Sequence, residues 1–410
     1  MLVEIRASEM SVFQLPPEVL RIGHPIPFAL RDKTGNLLVP KGVMVASEDQ
    51  RQQLIARELY VDEQEGEQIR RAIAGKLDSM VRQNALIGQI AQARPDTHFL
   101  DPSSPRKRLA DPLGTWSSLQ SRASALQRDT ALPDFVQRVS AVQRALLDAV
   151  DVDPDLALLL LVQATSDDAH DYSVKHGLLV AVICELAARQ LPAWNDGWRT
   201  SLRCAALTMN VAMTALQNQL ALQDGPVTPA QRKHIEDHAE VGARMLQDAG
   251  IADENWIGAV RHHHGGSPGK LMGLSTDRQL ARLIERADIF AARLSPRKRR
   301  RAMSATAAAK AAYLDENNQP DEAGSAIIKA TGIYPPGSLV RLGSGEVAVV
   351  LRRGKQANEP AVLSIVSASG TPLGVPILRN TRIKPHDVVG GAAPHEVNVR
   401  LNLQALIART

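Results

Sequence analysis

Aromatic residues are scarce in this chain, at 3% of 410 residues. Carbohydrate-binding platforms and stacking surfaces for single-stranded nucleic acid both need aromatic rings, so neither function is expected. An excess of one charge is also missing, because 48 Lys and Arg are balanced by 44 Asp and Glu, for a formal net charge of +4. Dedicated nucleic-acid binders concentrate far more positive charge. We therefore do not expect nucleic acid to be the partner.

Cysteine and long apolar runs are equally limited. Cys184 and Cys204 lie in separate apolar stretches without a CxxC pattern, which predicts two buried thiols in a reducing compartment. The longest apolar runs, 156–162 and 177–184, are far shorter than the roughly 20 residues of a membrane span. The first residues lack the basic and apolar regions of a signal peptide. Together these features predict a cytoplasmic protein without a membrane span.

Composition and periodicity divide the chain into four predicted regions. Residues 1–65 alternate short apolar runs with turns, which predicts a small mixed β/α domain. Residues 66–115 predict a helix followed by a Pro-rich linker. Residues 116–330 show a helical period throughout and predict an all-α domain. Residues 331–410 predict a β meander with a terminal helix, so the expected fold class is a multidomain protein with a central helical domain.

Several elements follow from local pattern. Ser47 is placed to cap a helix that runs to about Arg57. Apolar periodicity predicts one helix over 198–216. The C-terminal region contains three short β-branched runs separated by Gly turns and then a possible final helix. These runs are 338–342, 346–352 and 361–366, and the helix is 397–408.

Histidines are concentrated in the helical region. Seven of the 11 histidines lie between residues 170 and 264, far more than an even distribution would place there. They are His170, His176, His234, His238, His262, His263 and His264. Helical bundles build metal sites from side chains that project inward in this way. An isolated histidine can equally be a surface residue, so the cluster alone leaves both interpretations open.

A carboxylate in an apolar helix is the second candidate. Asp288 lies between Ala287 and Ile289, where a charge needs a partner or a cation. Pairing with Arg282 or Arg286 would satisfy it without a metal.

The order and spacing of these residues match a known family. The stretch 172–301 resembles an HD-GYP domain, a helical metal-dependent phosphodiesterase of the HD type that acts on cyclic di-GMP. Five segments carry the resemblance, each in the family's order. They are 172–176 with the first histidine, 225–242 similar to "PGxLT…HPxxG", 260–264 matching the "HHE" region, 287–292 similar to "ADxxDA", and 333–340 resembling the β extension.

The resemblance implies a ligand set and a cofactor. The implied metal ligands are His176, His238, His263, His264 and Asp288. The implied cofactor is one divalent transition metal (iron, manganese or zinc), with no metal as the alternative. Arg297 and Arg300 match positions that contact the phosphates of the ligand, and guanidinium groups suit phosphate oxygens.

The chain departs from the family at the positions that carry out catalysis. Met209, Asn210 and Met213 replace the His-Asp doublet and the following Lys, and Tyr172 replaces a Glu. The Gly-Tyr-Pro signature is reduced to Gly and Pro within 265–269. A neutral amide cannot offset the repulsion between two divalent ions, and a thioether is a poor ligand for the ions of hydrolytic sites. The two-metal mechanism of the family is therefore expected to be lost.

Three hypotheses follow. The first is a catalytically degenerate cyclic di-GMP receptor or interaction scaffold, whose N-terminal domain binds other signalling proteins. The second is an active phosphodiesterase whose metal site is rebuilt with charge from Asp167, Asp168 or Glu236. The third is a nucleic-acid-associated protein that uses the basic run 297–301, which would give a steep dependence of binding on salt.

Overall fold

A computed structural model describes residues 12–15, 20, 26, 28–40, 42–45, 47–57, 59–62, 109–167, 170–265, 270–315, 317–354, 356–397, 399 and 401–409. The chain forms two compact units, Met1–Arg106 and Lys107–Thr410. The helix expected after residue 65 and most of the Pro-rich linker lie outside the described residues. The limits proposed for the four regions remain predictions.

The first unit contains a small antiparallel sheet. Its strands are β1 (Val12–Gln14), β2 (Leu30–Arg31), β3 (Leu37–Val39) and β4 (Tyr60–Asp62), in the order β1-β4-β2-β3. Helix α1 (Glu48–Ile55) begins at the expected cap, where the Gln50 amide donates to Ser47 Oγ at 3.2 Å. Eight buried apolar side chains, among them Phe28, Leu30 and Val61, form a separate core for this unit.

Helices make up most of the second unit. They are α2 (Pro112–Arg128), α3 (Phe135–Val152), α4 (Pro154–Asp167), α5 (Tyr172–Ala188), α6 (Asp196–Thr208), α7 (Thr214–Leu222), α8 (Pro229–Asp248), α9 (Glu254–His262), α10 (Thr276–Leu294), α11 (Ala305–Tyr313) and α12 (Glu322–Thr331). Helix α5 packs against α4, α6, α10 and α12. Each of its residues is buried, as expected for a helix that is apolar on all sides.

A buried carboxylate on α5 connects this helix to α6 and, through an arginine, to α3. Glu185 is fully buried and accepts from Arg203 at 2.6 Å, from Arg189 at 2.8 Å and from Arg199 at 3.1 Å. Arg203 also donates to Gln143 Oε1 on α3 at 2.9 Å. A buried charge is tolerated only with such partners, so this network sets how α3, α5 and α6 pack.

The C-terminal sheet belongs to the same unit. Its strands are β5 (Leu339–Leu342), β6 (Val347–Arg352), β7 (Ala361–Val366), β8 (Pro372–Asn380) and β9 (Val388–Ala392), all antiparallel in the order β8-β7-β6-β5-β9. A short helix, α13 (Leu403–Ile407), follows.

Polar contacts hold this sheet on α4. Arg352 binds Asp153, the residue just before α4, at 2.6 and 3.1 Å, and Arg353 Nε lies 2.5 Å from Asp155 Oδ1. Further along α4, Gln163 Nε2 donates to the Gly337 carbonyl at 2.5 Å. The sheet therefore shares its core with the helices.

The predicted fold class is confirmed, with local corrections. The predicted strands correspond to β5, β6 and β7, whereas β8 and β9 were not expected. The single helix predicted over 198–216 is wrong, because the chain breaks after Thr208 into a 3₁₀ turn at Val211–Met213 before α7 begins. The final helix is confined to Leu403–Ile407.

Two further expectations concern cysteines and the membrane. Both cysteines are free and buried, and burial raises the pKa of the Cys204 thiol to about 12. No helix within the described residues has both the length and the apolar character needed to cross a bilayer.

Gly337 gives a test of the contact between the sheet and α4. Its φ is +90°, and an added Cβ would lie 2.9 Å from the Leu159 carbonyl oxygen. We expect Gly337→Ala to lower the free energy of unfolding by about 1–2 kcal/mol for the left-handed backbone. Overpacking should cost about 1–3 kcal/mol more. Chemical denaturation of the full chain measures this loss.

Gly370→Ala is the matched control. Gly370 has φ +82° and open space around the position of the Cβ, so its substitution should carry the backbone cost alone. Equal losses in the two variants would show that the close approach to α4 contributes nothing.

Candidate metal centre

Three of the histidines expected to bind metal are brought together by two helices. His238 lies on α8, while His263 and His264 follow the last turn of α9, which packs on α8. Helix α8 begins with a reciprocal cap, in which Thr228 Oγ1 accepts from the Gln231 amide and the Gln231 side chain accepts from the Thr228 amide. One nitrogen from each of the three imidazoles lies within 4.8 Å of the others.

Hydrogen bonds determine which nitrogens face each other. His238 Nδ1 donates to the Ile235 carbonyl at 2.5 Å, and His263 Nδ1 donates to the Val260 carbonyl at 2.6 Å. The proton of each neutral ring is therefore on Nδ1, and each Nε2 carries a lone pair. The two Nε2 atoms are 3.2 Å apart. Two lone pairs at this distance repel unless a cation lies between them.

This arrangement fits a metal ion. Histidine ligands usually donate their other ring N–H to a carbonyl or carboxylate, as these two do. Imidazole nitrogens that bind one tetrahedral zinc ion at about 2.0–2.1 Å lie about 3.3 Å apart, close to the observed separation. His238 and His263 are buried, and His264 is exposed. Three protein ligands with one open side are typical of catalytic rather than structural zinc.

The electrostatics favour the neutral form of His238 and His263. Burial, followed by the charge of His264 and of His238, lowers the pKa of His263 to about 3. Burial also lowers the pKa of His238. Neutral imidazole is the form that binds metal, so the pocket is set for a cation without prior loss of a proton.

The other two expected ligands form a separate pair. His176 on α5 and Asp288 on α10 join through Nε2 and Oδ1 at 2.5 Å. His176 is fully buried, and the Asp288 side chain is 22% exposed. Burial opposes ionisation of Asp288, but the hydrogen bond with His176 and the nearby imidazoles lower the pKa of this carboxyl well below its ordinary value. The Asp288 carboxylate therefore pairs with His176 and not with Arg282 or Arg286, the two alternatives considered from the sequence.

The remaining histidines lie elsewhere. His234 Nε2 donates to the Ala212 carbonyl at 2.8 Å, and His170 is exposed. His262 lies 3.9 Å from Asp277, outside the three-histidine cluster. Of the acidic residues considered for a rebuilt site, Glu236 is exposed on α8, whereas Asp168 and the side chain of Asp167 lie outside the described residues.

Apolar packing covers the positions of the family's catalytic doublet. Met209, Asn210 and Met213 are 1%, 6% and 8% exposed, and Met209 belongs to the main hydrophobic core. The Asn210 carbonyl accepts from the Met213 amide at 2.9 Å, which closes the 3₁₀ turn. The three residues therefore act in packing and in the turn.

A pair of arginines follows α10. Arg297 Nη2 donates to the Tyr172 hydroxyl at 3.1 Å, and Arg300 Nη2 donates to the Ala292 carbonyl. The Nε atoms of both arginines are buried without a hydrogen-bond partner among the described residues. Burial, followed by the charge of Arg297, lowers the pKa of Arg300. Both guanidinium groups are therefore partly desolvated, and each keeps one donor without a partner among the described residues.

Tyr172 makes two contacts that the sequence did not predict. The sequence identified it only as a replacement for Glu, but its ring stacks on His176 with centroids 5.4 Å apart and an interplanar angle of 11°. The guanidinium of Arg297 lies over the Tyr172 ring, with Cζ 4.6 Å from the ring centroid. The four-residue spacing of Tyr172 and His176 on a helix was the available signal.

The three-histidine arrangement predicts the effect of removing one ligand. His263→Gln should weaken zinc binding by more than about 100-fold, because even outer partners of metal ligands contribute 10–100-fold. Competition with a chromophoric chelator measures the affinity. His234→Gln is the control, since His234 lies outside the cluster and should leave the affinity unchanged. Equal affinity for the His263 variant and the wild type would contradict the assignment.

Comparison with known proteins supplies the relationship. No protein-family model matches the chain. Cyclic di-GMP phosphodiesterase PA4108 of Pseudomonas aeruginosa is 27% identical over 320 residues, which cover 75% of this chain and 76% of that protein. Among solved structures, Bd1817, an HDG"Y"P protein from Bdellovibrio bacteriovorus, is 15% identical with a TM-score of 0.40, over 78% of this chain and 99% of that one. The predicted resemblance is confirmed as distant homology to cyclic di-GMP phosphodiesterase PA4108.

Proposed function

We propose that this protein is a cyclic di-GMP receptor or interaction scaffold that has lost the family's two-metal catalysis. The observation that carries this proposal is that Met209 and Asn210, a thioether and a neutral amide, occupy buried positions where the family has its His-Asp doublet. The distant relationship to a cyclic di-GMP phosphodiesterase supports the choice of ligand. Loss of the doublet removes ligands for a second ion, whereas the histidine cluster persists.

His238, His263 and His264 would hold a single divalent ion, with zinc and iron as the ions best suited to imidazole. A bound ion acts as a Lewis acid that polarises a phosphoryl oxygen. Met213, at the position of the family's Lys, offers no charge to a phosphate. The ion is therefore proposed to serve ligand binding.

Arg297 and Arg300 are proposed to contact the phosphates of the ligand. Both guanidinium groups are oriented by hydrogen bonds from their Nη2 atoms, to the Tyr172 hydroxyl and to the Ala292 carbonyl, and their remaining N–H groups are the donors proposed for the phosphate. A phosphate would relieve the mutual repulsion of the two cations as well as satisfy their donors. The chemistry recognised here is an anionic phosphodiester, which matches a cyclic dinucleotide.

Substitution of one arginine tests the ligand site. Arg300→Ala should weaken cyclic di-GMP binding by about 10- to 150-fold, because a charged hydrogen bond contributes about 1.5–3 kcal/mol and 1.4 kcal/mol is a factor of ten. Isothermal titration of the metal-loaded chain measures the dissociation constant.

Arg299→Ala is the matched control, since Arg299 is an exposed member of the same basic run. Its effect should stay below about threefold at physiological salt. Equal losses for Arg299 and Arg300 would indicate unspecific attraction. Binding of unrelated RNA with a steep salt dependence would favour the nucleic-acid alternative.

An active phosphodiesterase with a rebuilt site is the second candidate. The favouring observation is that the partly exposed Asp288 carboxyl, whose pKa is lowered, lies beside the three histidines of the cluster. In that case Asp167, Asp168 or Glu236 would supply the missing charge. The N-terminal sheet would bind other signalling proteins under either proposal.

A hydrolysis assay separates the two candidates. The wild-type chain, loaded with manganese or iron, should bind cyclic di-GMP and leave it intact. A variant with Tyr172→Glu, Met209→His, Asn210→Asp and Met213→Lys should recover hydrolysis, because it regains the ligands and the cation of the family. Chromatography of the nucleotide products measures both. Turnover by the wild type that disappears in His263→Gln would overturn the degenerate proposal.

A further inference from the structure

A row of four side chains connects the basic segment to the centre of the helical domain. We call Arg297, Tyr172, His176 and Asp288 the column. Its contacts run in sequence: Arg297 lies over the Tyr172 ring, Tyr172 stacks on His176, and His176 bonds Asp288. Tyr172 and His176 are both almost fully buried.

The column engages one of the two ring nitrogens that His176 could offer to a metal. His176 Nε2 is 2.5 Å from Asp288 Oδ1, and a carboxylate oxygen can only accept, so the proton lies on Nε2. The other nitrogen, Nδ1, is buried and has no partner among the described residues. A metal at Nε2 would have to displace both this proton and the carboxylate.

The opposite end of the column carries a cation, which contacts Tyr172. Arg297 Cζ lies 4.6 Å from the Tyr172 ring centroid, and Nη2 donates to the hydroxyl at 3.1 Å. Cations are attracted to the face of tyrosine in this geometry. The backbone of the segment is fixed by bonds between the Arg297 and Arg300 main chains at 2.8 Å, and by Lys298 N donating to the Ala221 carbonyl at 2.9 Å. Arg297 is thus held in place before any ligand binds.

Charge balance favours this cation over a second metal ion. The residue at the family's Glu position is the neutral Tyr172, and that at the Asp position is the neutral Asn210. Asp288 is then the one carboxylate left among the residues that the family resemblance assigns to the centre. A second divalent ion would meet the repulsion of the first ion and of Arg297 with too little negative charge to offset it.

We infer that the column takes the place of the second metal ion, so that the three histidines bind one ion and His176 and Asp288 bind none. Tyr172 is a positioning residue in this assignment, because it acts through His176 and Arg297. The inference rests on the proposed single-metal function and adds which of the five expected ligands are used. Under this inference, Tyr172 at the family's Glu position contributes as much to the loss of the second metal ion as the replaced His-Asp doublet does.

Cobalt(II) loading of the full chain tests the assignment without any activity. The wild type should bind one ion per chain and give the visible absorption of a histidine-bound cobalt. His176→Gln should keep both the stoichiometry and the spectrum, whereas His263→Gln should lose them. Loss of the ion or a shifted band in His176→Gln would overturn the inference. A wild type that binds no cobalt would instead overturn the proposed metal function itself.

A second set of variants tests Tyr172 through gain of an ion. Met209→His with Asn210→Asp should still bind one ion by mass spectrometry of the metal content. Addition of Tyr172→Glu should raise the content to two, because it restores a carboxylate and releases His176 and Arg297. Tyr172→Phe in the same background is the control, which keeps the ring on His176 and should leave one ion. Two ions in the doublet variant without Tyr172→Glu would contradict the inference, even if His176→Gln failed to fold.

Discussion

A helix that is buried along its whole length leaves its polar side chains no access to water, and this constraint shapes the second unit. Helix α5 carries Glu185 and His176, both fully buried. Glu185 is satisfied by arginines from α5 and α6, and His176 by Asp288 of α10. Because an unpaired buried charge costs several kcal/mol, the neighbouring helices are held at positions that provide these partners. The packing of the helices and the geometry of the site therefore depend on the same buried polar pairs.

The candidate metal centre is divided into two halves with different chemistry. One half is the set of three imidazoles, in which the Nε2 atoms of His238 and His263 face each other. The other half is the pair of His176 and Asp288, which is in contact with a tyrosine and, through it, a guanidinium. This division accounts for the retention of all five expected ligands in the sequence although only three of them share a cluster. It also separates the proposed metal ligands from the proposed phosphate contact, because Arg297 contacts the second half.

Sequence patterns predicted the parts of the structure that depend on local periodicity. Helices such as α3 and α8 have one apolar face, and the Ser47 and Thr228 caps are visible as short motifs. Strand β8 was missed because Pro372, Gly374 and Pro376 hide its β character, and only pairing with β7 makes it a strand. The break after Thr208 was missed because the apolar period continues through it.

The sequence predicted which residues form the candidate site, but not which of them lie together. Motif order identified His238, His263 and His264, yet nothing local shows which nitrogens face each other. His176 and Asp288 are 112 residues apart, and their pairing depends on how α5 and α10 pack. The role of Tyr172 depends on Arg297, which is 125 residues away. Contacts of this range are set by the fold as a whole.

A metal ion held by the facing Nε2 atoms of His238 and His263, as proposed, would link the lifetime of the protein to the supply of metal. Without an ion, the native state bears the repulsion of two buried lone pairs, and the unfolded chain does not. An ion that binds only the native state stabilises it in proportion to the logarithm of its concentration, by about 2.7 kcal/mol at 100 times its dissociation constant. Changes of that size alter the cellular abundance of a protein several-fold. Metal starvation would then lower the amount of this protein through proteolysis, without any change in its synthesis.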